Sequence, residues 1–151
     1  MPVIVIGADT PTGRAVVDAL LPRRGEVRAF VSDPTEGAAL RERGVKVAVG
    51  DVSDGSHIGG AATRAFCAVA VVTAAADDRE RWFAGDPQSV LDAWGEGLSD
   101  AGVARIIVVD DPGVEATLAP AGVVEVVSVG GDLPAAEIAA EVRRLEALDR
   151  L

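Results

Sequence analysis

Short runs of valine and isoleucine alternate along this chain with longer stretches in which apolar residues recur every three or four positions. The runs at Val3–Ile6, Val27–Val31, 45–49, 68–73, 106–109 and 123–127 predict six strands. Several are apolar at successive rather than alternate positions, as expected of strands covered by helices on both faces of a parallel sheet. Between them, 11–21, 35–43, 57–64, 87–101 and 134–148 predict helices, the third diluted by Gly59 and Gly60. Thr10 suits the N-cap of the first helix and Pro11 its first turn, while Pro22 and Gly25 stop it. Segment 111–121, with Pro112, Gly113 and Pro120, predicts a loop or a short turn of helix. Six strands separated by helices imply an α/β, doubly wound, mainly parallel sheet in the order 3-2-1-4-5-6, with right-handed crossovers. In the last helix Ile138, Val142 and Leu145 share a face that Leu148 continues; packing on the sheet accounts for it, with a homodimer face as the alternative.

The 151 residues suit a single domain, and 49% apolar composition supplies a core and excludes wholesale disorder. No apolar run approaches the ~18–20 residues of a membrane span, and no secretory signal is visible at the start. Cys67 is the single cysteine, which fits a reducing cytoplasm, and it reads as a buried strand residue. Net charge of −10 argues against general nucleic-acid binding, which needs cations facing phosphates.

The loop after the first strand carries the most information. In an open α/β sheet, ligands sit beyond the carboxyl ends of the strands. A glycine-rich turn there lets a pyrophosphate approach the backbone and meet the positive end of a helix. Gly7 and Gly13 have the outer spacing for that role, although a chain turn at Gly7 and close helix packing at Gly13 explain them equally. The stretch from Gly7 to Gly13, Gly-Ala-Asp-Thr-Pro-Thr-Gly, resembles the Gly-Ala-Thr-Gly-x-x-Gly turn of atypical short-chain dehydrogenase/reductase proteins, the NmrA-like and NAD(P)H-binding group. The resemblance continues through the Val-Arg-Ala-Phe-Val-Ser-Asp-Pro stretch at 27–34, the Leu-Arg-Glu-Arg-Gly-Val-Lys-Val-Ala-Val-Gly-Asp-Val-Ser-Asp stretch at 40–54, and 98–109.

The resemblance implies a nicotinamide dinucleotide, NAD or NADP, with Asp51 and Val52 bordering the adenine, and Thr73 and Ala74 near the nicotinamide-side ribose. Ser32 stands where many relatives carry an arginine for the 2′-phosphate of NADP; Arg14 and Arg28 are the remaining cations for it, and the balance leans to NAD. Thr10 replaces the middle glycine, Pro11 removes one backbone N–H, and Asp9 adds a carboxylate near the phosphate position. The hydroxyls of Thr10 and Thr12 and the charge of Arg14 are candidate compensations. Losing one charge-assisted N–H contact costs about 1.5–3 kcal/mol, so weak binding is expected, with Kd of roughly 10–1,000 μM.

Typical reductases of this superfamily use a Tyr-x-x-x-Lys pair, but the chain has no tyrosine, and its one lysine is Lys46 in the third strand. Asp110, Asp111 and Pro112 follow the fifth strand where such enzymes place a serine, and a C-terminal substrate lobe is lacking. That proton relay is therefore excluded, and a non-catalytic nucleotide sensor or regulatory module is the expectation. The alternatives are a cofactor-free module for a protein partner and an NAD(P)-dependent oxidoreductase with a different relay. His57, the single histidine, is expected in a solvated loop rather than as a base. Asp9, Asp33, Asp51, Asp77, Asp78, Asp110 and Asp111 gather at strand ends, where carboxylates can hold Mg²⁺ but more often cap helices and begin turns. A receiver-like phosphoacceptor needs a lysine where Asp110 stands.

Overall fold

The structure is a computed structural model and describes residues 1–123 and 125–151. Strands β1 (Val3–Ile6), β2 (Val27–Val31), β3 (Lys46–Val49), β4 (Cys67–Val71), β5 (Arg105–Val109) and β6 (Glu125–Val129) form one sheet in the order β3-β2-β1-β4-β5-β6. Every pairing is parallel, and the strands start nearly level: Val3 lies opposite Val27 and Cys67, and Arg105 opposite Cys67 and Glu125. Four α-helices connect the first five strands, α1 (Pro11–Leu20), α2 (Pro34–Glu42), α3 (Gly55–Ala61) and α4 (Pro87–Asp100), and α5 (Ala135–Glu146) follows β6.

The alternation of side chains along β1 divides the interior into two cores. Val3 and Val5 face α1 and α5, packing on Val16, Val17, Leu20, Ile138 and Val142. Ile4 and Ile6 face α3 and α4, packing on Ile58, Leu91, Trp94 and Leu98. Each such fully buried aliphatic side chain contributes about 1.5–3 kcal/mol, so the central strands, apolar at every position, anchor both layers. The edge strands β3 and β6 are only partly covered. Ile138, Val142 and Leu145 of α5 face this core, whereas Leu148 lies past the helix and is exposed.

Several places differ from expectation. The run after β4 leaves the sheet at Val72 as a 3₁₀ turn, Val72–Ala75, because neighbouring β1 ends at Ile6 opposite Ala70 and β5 at Val109 opposite Val71. The last strand is displaced two residues, to Glu125–Val129, and Val124 from the expected 123–127 run lies outside the described residues. His57 sits in the first turn of α3, exposed, with its ring edge-on to Phe30 at 5.0 Å, rather than in a loop.

At the amino ends of the strands, Arg105 is fully buried. Its guanidinium donates to the Leu145, Glu146 and Leu148 carbonyls at 3.0, 3.2 and 2.6 Å, and to Glu125 at 2.8 Å. It thus closes the C-terminus of α5, where unpaired carbonyls and the helix dipole favour a cation. Helices α3 and α4 approach one another backbone to backbone: a Cβ on Gly59 would stand 2.8 Å from the Gly97 carbonyl, and one on Gly97 would collide with that of Gly55.

Candidate functional site

The carboxyl ends of β1, β2 and β3 open on a cleft of about 550 Å³. Asp9 of the turn between β1 and α1 lines it, as does Arg14 of α1. Gly7 adopts φ +83°, a conformation that L side chains rarely adopt, and a Cβ there would stand 2.8 Å from that of Ala74. A Cβ on Gly13 would collide with the Gly7 carbonyl, so this glycine brings α1 against the turn. Thr10 is buried; its Oγ1 donates to the Gly7 carbonyl at 2.7 Å and accepts from the Gly13 amide at 2.9 Å. The hydroxyl offered as a phosphate donor is thus spent as the helix cap. Pro11 has no N–H, so among the first three helical amides that of Thr12 is left for a ligand. Arg14 is paired with Glu36 at 2.7 Å, and that hydrogen bond raises its pKa further.

Asp9 turns inward rather than toward the helix. Its Oδ2 accepts from the amides of Ser32 at 2.9 Å and Asp33 at 3.3 Å, and its Oδ1 pairs with Arg79 at 2.7 Å. Arg79 belongs to a strap, residues 76–86, that runs from the 3₁₀ turn to α4 and lines one side of the cleft. Its guanidinium also grips Asp77 through two bonds, at 2.7 and 2.6 Å, and reaches Ser32 Oγ at 3.4 Å. Burial works against the charge on Asp77, but Arg79 outweighs it and holds the carboxyl below its ordinary range. Arg81 donates to the carbonyls of Ala74 and Asp77, both at 3.0 Å, and folds the strap on itself.

Asp51, at the end of β3, accepts from the Ser53 amide at 2.8 Å and hydroxyl at 2.6 Å, and from the Trp82 amide at 2.7 Å. Burial alone would raise its carboxyl; these donors prevail and lower it. The Phe83 amide donates in turn to Ser53 Oγ at 2.9 Å. The strap is therefore tied by its backbone, while the side chains of Trp82 and Phe83 stand 82% and 69% exposed.

Of the candidate cofactor-binding residues, Arg14, Ser32 and Asp51 line the cleft. Gly7, Thr10, Thr12 and Gly13 belong to the β1–α1 turn and the first turn of α1 and are not among its lining residues. Val52 is fully buried in the α3–α4 core, its carbonyl accepting from the Trp94 indole at 2.6 Å. Thr73 and Ala74 lie in the 3₁₀ turn beside Gly7; Thr73 Oγ1 donates to Asp111 at 3.0 Å, and Ala74 is buried. Arg28 lies near the opposite end of β2, bonded to Glu26 and to the carbonyls of Ala61 and Thr63. Asp33, Asp54 and Asp86 cap α2, α3 and α4. Among the described residues no group of three or more His, Cys, Asp or Glu side chains is placed to hold a metal ion. Nor does any described helix have the length and apolarity to cross a membrane.

Sequence reading missed the contributions of Ser53, Arg79, Arg81 and Trp82. The available signal was the stretch Asp-Asp-Arg-Glu-Arg-Trp-Phe at 77–83, dense in charge and holding two of the chain's five aromatic residues immediately beyond the fourth strand.

A glycine turn from β1 into α1, opening on the rim of a 3-2-1-4-5-6 parallel sheet, defines a Rossmann-like domain. A family model described as NAD(P)H-binding matches residues 7–149, and the chain belongs to that family. No curated protein matches it. Similar solved structures include the Citrobacter sp. triphenylmethane reductase complexed with NADP(H), with TM-score 0.60 and 18% identity over 72% of this chain and 37% of that one. An NADPH-dependent quinone oxidoreductase from Escherichia coli, complexed with NADPH, gives TM-score 0.60 and 18% identity over 72% and 36%. ChuY, an anaerobillin reductase from E. coli O157:H7, gives TM-score 0.72 and 16% identity over 99% of this chain and 92% of that one. The chain thus spans little more than a third of the first two proteins and nearly all of the third. Likeness at these identities is one of fold.

Proposed function

We propose that this chain binds a nicotinamide dinucleotide weakly across the β1–β3 rim and acts as a nucleotide-responsive module without a tyrosine relay. The observation that carries the reading is the turn itself: Gly7 at φ +83° turns the chain from β1 into α1, and Asp9 of that turn and Arg14 of α1 line the cleft together with Ser32 and Asp51. The pyrophosphate would meet the Thr12 amide and the positive end of α1. Adenosine would lie toward Ser32 and Asp51. The Asp51 carboxylate accepts from the strap at present, so the base has to share or replace the Trp82 amide. When bound, the cofactor would supply a transferable hydride; the chain's residues bind and orient it.

Calorimetry with NAD⁺, NADH, NADP⁺ and NADPH tests the reading. The expected result is a Kd of roughly 10–1,000 μM for at least one of them. Absence of heat from all four at millimolar concentration would overturn it and leave a cofactor-free protein-interaction module.

A second reading, hydride transfer with a different proton source, is favoured by the Thr73–Asp111 hydrogen bond beside Gly7, at the nicotinamide end. The comparable length of ChuY adds support, because a protein of that size is described as a reductase. Turnover of NADH or NADPH with quinones, triphenylmethane dyes or anaerobillin, abolished in Asp111→Ala, would establish it over the sensor reading.

A further inference from the structure

We propose that Asp9 determines which dinucleotide this rim accepts, acting as a built-in substitute for the 2′-phosphate and so selecting NAD(H) over NADP(H). The inference rests on the proposed dinucleotide reading of the same cleft.

A phosphate at the end of β2 needs backbone N–H donors and a cationic fork. Both are present, and one side chain already uses both. The Asp9 carboxylate takes the Ser32 amide at 2.9 Å, the Asp33 amide at 3.3 Å and the Arg79 guanidinium at 2.7 Å. It does so from inside the protein, only 5% exposed, so solvent does little to screen it. The far side of the Arg79 fork is held by Asp77, and Arg14, the other cation lining the cleft, is held by Glu36. A 2′-phosphate would bring a charge of about −1.5 to −2 to a place where both cations and both amides are engaged. The neutral diol of NAD needs neither. It can donate its hydroxyl hydrogens to carboxylates and bond to Ser32 Oγ, which stands 3.4 Å from Arg79.

Removing Asp9 should therefore create a phosphate site rather than merely damage one. Calorimetry would compare NADH and NADPH on the wild type, Asp9→Gly, Asp9→Asn and the double variant Asp9→Gly/Arg79→Ala, each checked for folding by circular dichroism. The wild type should favour NADH at least tenfold. Asp9→Gly should tighten NADPH at least tenfold and abolish or reverse the preference. Asp9→Asn, which keeps an acceptor oxygen but not the charge, should fall between, and the double variant should lose the gain. Wild type that binds NADPH as tightly as NADH, or an unchanged ratio in Asp9→Gly, would overturn the role of Asp9 while leaving dinucleotide binding intact. Silence from both nucleotides in every variant would overturn the dinucleotide reading and this inference together.

Discussion

Arg79 and Arg105 do opposite work at opposite ends of the same sheet. Each is at most 12% exposed and each meets several oxygens. Arg105 is bonded mainly to backbone carbonyls of an element that is itself packed against the core, so nothing it touches can leave without unfolding α5. Arg79 is bonded to the carboxylates of Asp9 and Asp77, on a turn and on its own strap, and these can exchange it for another partner. A cation tied to fixed carbonyls is a structural rivet; one tied to carboxylates on loops is a latch. The contrast puts the fixed anchor at the amino ends of the strands and the exchangeable one at their carboxyl ends, where the proposed function needs it.

The largest expected effect is at the rivet. Arg105→Met leaves three carbonyls near the end of α5 without their donor and should cost about 3–5 kcal/mol, read as a lowered urea midpoint. Arg105→Lys, which keeps the charge but has no fork to span Glu125 and the carbonyls, should recover only part of it. An Arg105→Met protein as stable as the wild type would erase the comparison.

Arg79→Ala leaves the nearly buried Asp9 carboxylate with its amide donors alone and should cost about 1–3 kcal/mol in global unfolding, less than Arg105→Met because the strap can open without the core. Trypsin should nonetheless cut after Arg81 much faster than in the wild type. Unchanged cleavage would mean that the strap is fixed by Asp51 and Ser53 alone.

Acid should release the latch before the rivet. Asp51 and Asp77 have folded pKa values below the ordinary carboxylate value of about 3.9, so they favour the docked strap fully above that pH. Their contribution is lost as pH falls through the lowered values. The Trp82 amide resonance should therefore shift below about pH 4, while amides of β4 and β5 keep their native positions.

The smallest effect expected is on Cys67, which lies opposite Arg105 in the sheet. Burial, and then the charge of Glu146, push its thiol up to about 12, so Ellman's reagent at pH 8 should leave it unmodified until the protein unfolds. Rapid labelling would show that the amino end opens as readily as the carboxyl end.

The sheet was readable because burial on both faces writes itself into consecutive residues: nothing but a central strand explains Val3–Ile6 or 106–109 so simply. The glycine turn was readable because its spacing is local. What the sequence hid depends on contacts between distant segments. Thr10 can face a ligand or cap its helix, and the choice depends on whether Gly13 lies within reach of its hydroxyl. Asp9 reads as a charge repelling phosphate until Ser32, 23 residues on, and Arg79, 70 residues on, are brought to it. Val52 follows Asp51 but lies in the turn beyond β3, where its side chain is buried in the α3–α4 core.

The backbone contact between α3 and α4 bears on how this sequence can drift. Helix α3 is short and contains Gly55, Gly59 and Gly60, a composition that cannot hold a helix by propensity. It is held because Gly55, Gly59 and Gly97 let two main chains touch, and any larger residue at these places forces them apart. Gly60, with open space around it, carries no such constraint. A descendant of this chain can therefore replace Gly60 freely, even with gain in helix stability, but must keep the other three together or abandon the helix pair that supports the β3 side of the cleft.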